Sequence, residues 1–445
     1  MDSPAYGDFA FDTVYLVAPD VQGQLVGRRI PRRRFEARRD EGVRICSIPL
    51  SWSSSEEPIT TASGWGWNQG WKDIVLRPDG KTLRPYPGLS NVAICLAHVE
   101  DQEGQRVAVA PRTILQTQVE RARLRGMNME IASELEFYLL PGTVQDLRAA
   151  GFRNLRGPGL VRRFYGVTGH SALEPFFSQL QAEMDRAGIP IVTCEPEYGV
   201  NQWEVNLDHC DAIDMADRHV IYRAGIQEIA AQHGLTATFM AKPFTDDLGS
   251  SGHFHISLWQ GGLSLFADKM RPTELSAAGR RFLGGLMRRM DETALFYAPH
   301  VNSYKRHERG VMGGGFHAWG YDNRTVTFRV VGQGQEINLE NRYPGADVNP
   351  YLAISAMIAA GLDGLDDPSC DPDQPLAGNA YDCVGLRHGP WSLGEAIDNF
   401  IESPFTRAQF GQAVVDHFGA LCRHEWQDYL RVVTDWELTR GFDGL

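Results

Sequence analysis

The chain has 445 residues, 43% of them hydrophobic and 22% charged, the proportions of an ordinary globular protein long enough for two domains. Its net charge of −13 argues against a general nucleic-acid or membrane-surface role, since both need a basic face. Seven cysteines, an odd number without a Cys-x-x-Cys pair, argue against a disulfide framework or a thiolate zinc site and point to reduced thiols.

The opening Met1-Asp2-Ser3-Pro4 lacks the basic and apolar regions of a leader, and no apolar run reaches the roughly 18 residues that span a bilayer. A cytoplasmic protein is expected. Residues 11–17 and 24–30 read as a β-hairpin turning at Asp20 and Gly23. The arginine-rich residues 28–39 are expected to form a solvated or subunit-contacting surface. Trp52, Trp65, Trp67 and Trp71 crowd a Ser/Gly-rich segment that reads as an ordered loop, because flexible linkers do not need indoles. A strand pair is predicted at 92–99 and 105–109. Pro111 then opens a helix, and the domain boundary falls there, giving domains of 1–110 and 111–445. Further helices are predicted at 172–187, stopped by Gly188 and Pro190, and at 213–233, closed by Gly234. Residues 350–362 are nearly all apolar and read as a buried helix.

Three separated runs place acidic or imidazole side chains on alternate positions of strand-like segments. They are Glu134-Leu135-Glu136-Phe137, Gln202-Trp203-Glu204-Val205-Asn206 and His253-Phe254-His255-Ile256-Ser257. Alternate residues of a strand share a face, so the apolar members can enter a core while the others all point the opposite way. If the strands are neighbours, Glu134, Glu136, Glu204 and His253 line one wall. Carboxylates so placed repel one another unless a proton or a cation intervenes. Hard oxygen ligands suit Mg²⁺ or Mn²⁺. Glu197, seven residues before Glu204 and across Gly199, can return to the same face.

Downstream lie Arg306, Arg324, Arg329 and Arg342, the last two residues after Glu340. Guanidinium forks fit phosphate and carboxylate. A carboxylate-lined metal site facing several of them is what phosphoryl transfer requires. No Gly-x-x-x-x-Gly-Lys-Ser/Thr loop occurs, which excludes the commonest nucleotide-binding fold. Gly313-Gly314-Gly315 is either a lid or a turn.

In this order, together with Ala237-Thr238-Phe239-Met240-Ala241-Lys242-Pro243, Asn302 to Arg306, Asp322 to Thr325 and Asn349-Pro350-Tyr351-Leu352, the motifs closely resemble the glutamine synthetase superfamily over nearly the whole chain. Val433-Thr434-Asp435-Trp436-Glu437 is similar to the branch that glutamylates amines. The resemblance implies an α+β fold: an N-terminal β-grasp domain, then a larger catalytic domain with a mainly antiparallel curved sheet flanked by helices. It implies stacked rings, most simply a dodecamer of two hexamers, and ATP-dependent phosphorylation of glutamate's γ-carboxylate followed by attack of an amine. Carried over residue by residue, Glu136, Glu197 and Glu204 would bind one Mg²⁺ or Mn²⁺, and Glu134, His253 and Glu340 the other. Gly249, Arg306 and Arg342 would hold glutamate, His255 and Ser257 would lie against ATP, and Arg324 and Arg329 would meet its phosphates. Arg324 and Arg342 would be the catalytic arginines.

The departures concern the nucleophile. Enzymes that use ammonium carry a carboxylate where this chain reads Leu50-Ser51-Trp52-Ser53-Ser54-Ser55, and a flap glutamate where it has Met312. An asparagine of the acid pocket is replaced by Leu248. Ammonium needs compact negative charge, whereas a larger amine needs room and apolar walls, which the tryptophan-rich segment could supply. An organic amine is therefore the expected co-substrate, the alternatives being ammonia, as in glutamine synthetase itself, and a non-catalytic paralogue that kept the fold.

Overall fold

The computed structural model describes residues 9–60, 64–153, 155, 164–307 and 313–442. The acidic N-terminal stretch and Met312 lie outside the described residues. Strands β1 (Thr13–Pro19) and β2 (Leu25–Pro31) form the predicted antiparallel hairpin. Helix α1 (Arg32–Ala37) buries Phe35 and leads to β3 (Val43–Cys46), β4 (Asp73–Pro78), the short β5 (Arg84–Pro85) and β6 (Val92–Glu100). The sheet order is β2-β1-β6-β4-β3 with β5 on β6, and the central β1–β6 pair is parallel, as in a β-grasp arrangement.

The strand expected at 105–109 does not form. A turn at Asp101–Gly104 brings the chain back for one bridge, Glu100 to Arg106, and one bond from Val107 to Val99. Val107 and Val109 are buried as the chain leaves the sheet for α2 (Pro111–Arg123), so packing rather than pairing uses their apolar side chains.

A second sheet follows, built from β7 (Asn128–Pro141), β8 (Ile191–Pro196), β9 (Gln202–Asp211), β10 (Leu235–Thr238), β11 (Gly252–Gln260), β12 (Leu263–Ser264), β13 (Trp319–Tyr321), β14 (Phe328–Val331) and β15 (Asn338–Asn341). Its order is β13-β14-β15-β11-β7-β9-β8, with β10 on β7 and β12 on β11. All pairings are antiparallel except β13–β14. Along β7 the alternation is complete: Met129, Ile131, Ser133, Leu135 and Phe137 are buried in the core, and Glu130, Glu134 and Glu136 take the other face.

The remaining helices are α3 (Val144–Ala149), α4 (Glu174–Arg186), α5 (Ala212–Gln232), α6 (Ala277–Arg288), α7 (Met290–Tyr297), α8 (Pro350–Asp366), α9 (Leu393–Glu402), α10 (Pro404–Phe410), α11 (Gln412–Tyr429) and α12 (Asp435–Gly441). Helix α5 ends before Gly234, whose φ of +68° is the left-handed stop the sequence suggested. Helix α8 runs four residues beyond its predicted end and is buried almost throughout. Its cap, Asn349, accepts from the Tyr351 amide and donates to the carbonyls of Asp20 and Val21 in the first hairpin. The seven cysteines are free thiols. Among the described residues, no helix is long and apolar enough to cross a membrane.

Candidate active site

Register assembles the site. On the face of the second sheet opposite the core, Glu136 pairs with Glu204, Glu134 with His253, His255 with Glu340, and Glu340 with Arg329. Cross-strand partners lie on one side of the sheet, so residues from five strands converge. Glu197, just beyond β8, completes a group with Glu136 and Glu204 whose ligand oxygens lie within 4.8 Å of one another. Two other groups meet the same criterion: Glu134 with Glu204 and His253, and Glu134 with His255 and Glu340.

The two halves of this wall differ in charge balance. His253 Nδ1 lies 3.2 Å from Glu134 and 3.4 Å from Glu340, and His255 Nε2 lies 3.0 Å from Glu134. Glu340, fully buried, also accepts from Arg329 Nη1 at 3.0 Å and from Arg342. Burial opposes ionisation of Glu134, but its bonds to both histidines outweigh it and hold the carboxyl well below the usual range. Against the same opposition, Arg342 and then the histidines hold Glu340 at about 2. Burial alone would lower His255; its bond to Glu134 and that carboxylate's charge push it up to about 9 instead. Burial and Arg342 lower His253.

The Glu136–Glu197–Glu204 group has no such compensation. Burial and the Glu136 charge push Glu197 up to about 8. Burial, with Glu134, Glu136 and Glu197 around it, raises Glu204 well above the carboxylate range. Like charges 4 Å apart repel by about 4 kcal/mol at an effective dielectric of about 20, so three ionised carboxylates here require a cation. The donor set fits one. Gln202 Nε2 and the Ser251 amide both donate to Glu136 Oε2, at 2.9 and 2.8 Å, which orients the group and leaves Oε1 for a ligand. Buried His253 Nε2 has no hydrogen-bond partner.

The other expected residues fall in different places. Gly249 packs under Arg306: a Cβ there would stand 2.5 Å from both the Ala241 carbonyl oxygen and Arg306 Cγ. Buried Arg306 donates to Ser251 Oγ at 3.2 Å and to the carbonyls of Arg342 and Tyr343, so it supports the site's floor. Arg329 also bonds Asp322. Arg324 is exposed and makes no ion pair among the described residues. Ser257, at the end of the wall opposite Glu130, accepts from Trp259 Nε1 at 2.9 Å. Gly315 is held by hydrogen bonds with Thr327 and Gly389. None of the described contacts brings Trp52, Trp65, Trp67 or Trp71 to this wall; the Trp52 indole donates to Asp20, in the turn after β1, at 2.8 Å.

Sequence reasoning gave no role to three residues. Gln202 and Asn206 share the face with Glu204; Gln202 orients Glu136, and Asn206 Nδ2 donates to Glu204 at 3.0 Å. Glu195 pairs with Glu204 across β8–β9 and accepts weakly from Asn206 at 3.3 Å. The alternation of Glu195 with Glu197 was visible in Cys194-Glu195-Pro196-Glu197, but its partner strand was not.

Residues 108–441 match the family described as glutamine synthetase, catalytic domain. The chain belongs to the glutamine synthetase family. Within that family it is 36% identical to a γ-glutamylethanolamide synthetase of Streptomyces coelicolor, over 99% of this chain and 94% of the relative. It is 35% identical to a glutamate–isopropylamine ligase of a Pseudomonas species, over 97% and 95%. Its fold superposes on the GmaS/ADP complex with a TM-score of 0.86 at 26% identity, covering 98% of this chain and 97% of the other. As a glutamine synthetase family member it has the expected α+β architecture, and members use ATP and divalent cations.

Proposed function

We propose that this protein is an ATP-dependent glutamate–amine ligase. The observation that carries the reading is the uncompensated Glu136–Glu197–Glu204 group beside the arginine-clasped Glu340, in a chain whose relatives include two amine-glutamylating enzymes. In the first step the γ-carboxylate oxygen of glutamate attacks the γ-phosphorus of ATP, forming the acyl O–P bond as ADP leaves. In the second, the amine lone pair attacks the acyl carbon, the C–N bond forms as the C–O bond breaks, and the phosphate leaves carrying away the proton that the amine nitrogen gives up, with a γ-glutamylamide as product.

Glu136, Glu197 and Glu204 would hold one Mg²⁺ or Mn²⁺, and Glu134 with His253 and Glu340 the other; His255 lies close enough to share that second set. Bound cations neutralise the phosphate oxygens and bring them into line. Gly249, Arg306 and Arg342 hold glutamate. Arg324 and Arg329 meet the transferring and distal phosphates, and Ser257 marks the nucleotide end. The reading includes domains of 1–110 and 111–445, a ring-shaped homo-oligomer, and a cytoplasmic location.

The test is phosphate release with glutamate, ATP and Mg²⁺ across ammonium, methylamine, ethanolamine, isopropylamine, benzylamine and putrescine. At least one organic amine should exceed ammonium in kcat/KM by about tenfold or more. Ammonium as the best nucleophile would overturn the proposal.

A further inference from the structure

One buried guanidinium and one carboxylate each keep a hydrogen-bonding atom that no described residue satisfies, and the two atoms border the same space. Arg306, 1% exposed, donates only to neutral acceptors: Ser251 Oγ and the carbonyls of Arg342 and Tyr343. It makes no ion pair among the described residues, and its Nε has no partner there. Asp347, between β15 and α8, accepts from Ser303 Oγ at 2.6 Å through Oδ2, while its buried Oδ1 has no partner among the same residues. The two open atoms meet around Gly345. A Cβ on that glycine would stand 2.6 Å from Asp347 Oδ1 and 3.5 Å from Arg306 Nε. Any side chain at 345 would therefore fill the gap between acceptor and donor.

The carboxylate also holds the element that carries the guanidinium. Arg306 lies on the short turn Asn302–His307. At the start of that turn Asn302 exchanges two bonds with Lys242, at 2.8 and 3.0 Å, and Ser303 is tied to Asp347. Asp347 is itself in a fixed segment: the Ala346 amide donates to the Ser250 carbonyl at 3.0 Å, Gly345 bridges Ser251, and Asn349 caps α8 two residues on. Because the Ser251 amide orients Glu136, this path ties the position of Arg306 to the carboxylate wall. Charge points the same way. Burial works against the Arg306 cation, and the carboxylates whose charges favour it are Glu136 and then Asp347. Glu136 belongs to the group that requires a metal ion, which leaves Asp347 to balance a guanidinium that would otherwise be a buried, uncompensated charge.

We infer that Asp347 is a positioning residue for the acid substrate: it fixes the Arg306 turn through Ser303 and supplies the negative charge that holds the guanidinium in place before glutamate arrives. The inference rests on the ligase reading above, which gives Arg306 to glutamate and gives Asp347 no role.

The test is steady-state kinetics with ATP, Mg²⁺ and the best amine. Asp347→Asn keeps the shape and an acceptor for Ser303 but removes the charge; it should raise KM for glutamate about tenfold, while KM for ATP moves by less than about twofold. Ser303→Ala removes the tether and keeps the charge, and should raise glutamate KM about threefold. Ser303→Thr keeps the hydroxyl and should recover most of that loss. In an Arg306→Lys background, Asp347→Asn should add less than about twofold, because its effect runs through the guanidinium. Calorimetric titration of glutamate into enzyme holding ADP and Mg²⁺ reads the same differences without turnover. Unchanged or improved glutamate affinity in Asp347→Asn overturns the positioning role, and so does a rise in glutamate and ATP KM together. Should Asp347→Asn fail to assemble on size exclusion, the Ser303 pair decides: equal glutamate KM in its Ala and Thr variants overturns the role. No turnover of any amine by the unsubstituted enzyme removes the ligase reading alone, since the titration still decides Asp347 by the same tenfold loss; no glutamate binding there removes both.

Discussion

Glu197 and Glu204 show how a single residue's proton affinity reports on its missing partner. With folded-state pKa values raised, to about 8 for Glu197, both favour the protonated form when no cation is present. Such groups stabilise the cation-free fold most fully below their unfolded values, and that contribution is lost as pH rises through about 8. The chelated protein should therefore show an unfolding temperature that falls between pH 6.5 and 8.5, by a few degrees on the ordinary scale, and Mg²⁺ should flatten the slope. The cation needs ionised ligands, so its binding at pH 7 should release about two protons, one from each of Glu197 and Glu204. Calorimetry in two buffers of different ionisation enthalpy counts them, and no release would contradict the assignment. A second residue-scale test concerns Gly249, where a methyl group meets a backbone carbonyl that cannot rotate away and the stem of Arg306. Gly249→Ala should raise KM for glutamate about tenfold or more through displacement of that guanidinium. An unchanged glutamate KM would count against its role in the acid pocket.

At the scale of elements, the strands were readable because alternation is a local property of sequence, while their register was not. Spacing alone put Glu134 and Glu136 on one face of their strand, and would put Glu204 and His253 on the same wall if the strands are neighbours. That His253 stands opposite Glu134, and Glu204 opposite Glu136, depends on turns and core packing far along the chain. The same limit hid Glu195, whose significance comes only from pairing with Glu204, and the bond between His255 and Glu134. The false strand at 105–109 had the right residue types but one bridge's worth of partner. Helix packing is similarly non-local. In α6, a Cβ on Gly285 would lie 2.1 Å from the Ala360 carbonyl oxygen of α8. Gly285→Ala gains about 1 kcal/mol of helix propensity, yet it forces two buried helices apart at about 1–3 kcal/mol or more. The steric term should win, lowering the urea midpoint of unfolding; an equal or higher midpoint would show that the helices can separate freely.

Across the whole molecule, the two sheets are joined by a buried ionic knot rather than by apolar contact alone. Arg112, at the start of α2 and 3% exposed, grips Asp217 of α5 with Nε and Nη2, at 2.9 and 2.8 Å. The same Nη2 reaches Asp79, beyond β4 of the first sheet, at 2.8 Å, and Tyr351 of α8 donates to Asp217 at 2.7 Å. Four segments thus share one charge pair, reinforced by Asn349 and Arg223 on the first hairpin. Replacing such a pair with apolar residues can be neutral, but removing one partner strands the other. Asp217→Ala leaves Arg112 with only Asp79 and His98 and the Tyr351 hydroxyl without its acceptor. The expected loss is about 3–5 kcal/mol, large beside the 5–15 kcal/mol that typically separates folded from unfolded states. Because the knot spans both sheets, the loss should appear as uncoupling: in scanning calorimetry the first sheet melts ahead of the second, where the parent gives one transition. Asp217→Asn keeps an acceptor oxygen and should fall between the two. A single unshifted transition in Asp217→Ala would mean that apolar packing, not the Arg112 knot, makes the two sheets one folding unit.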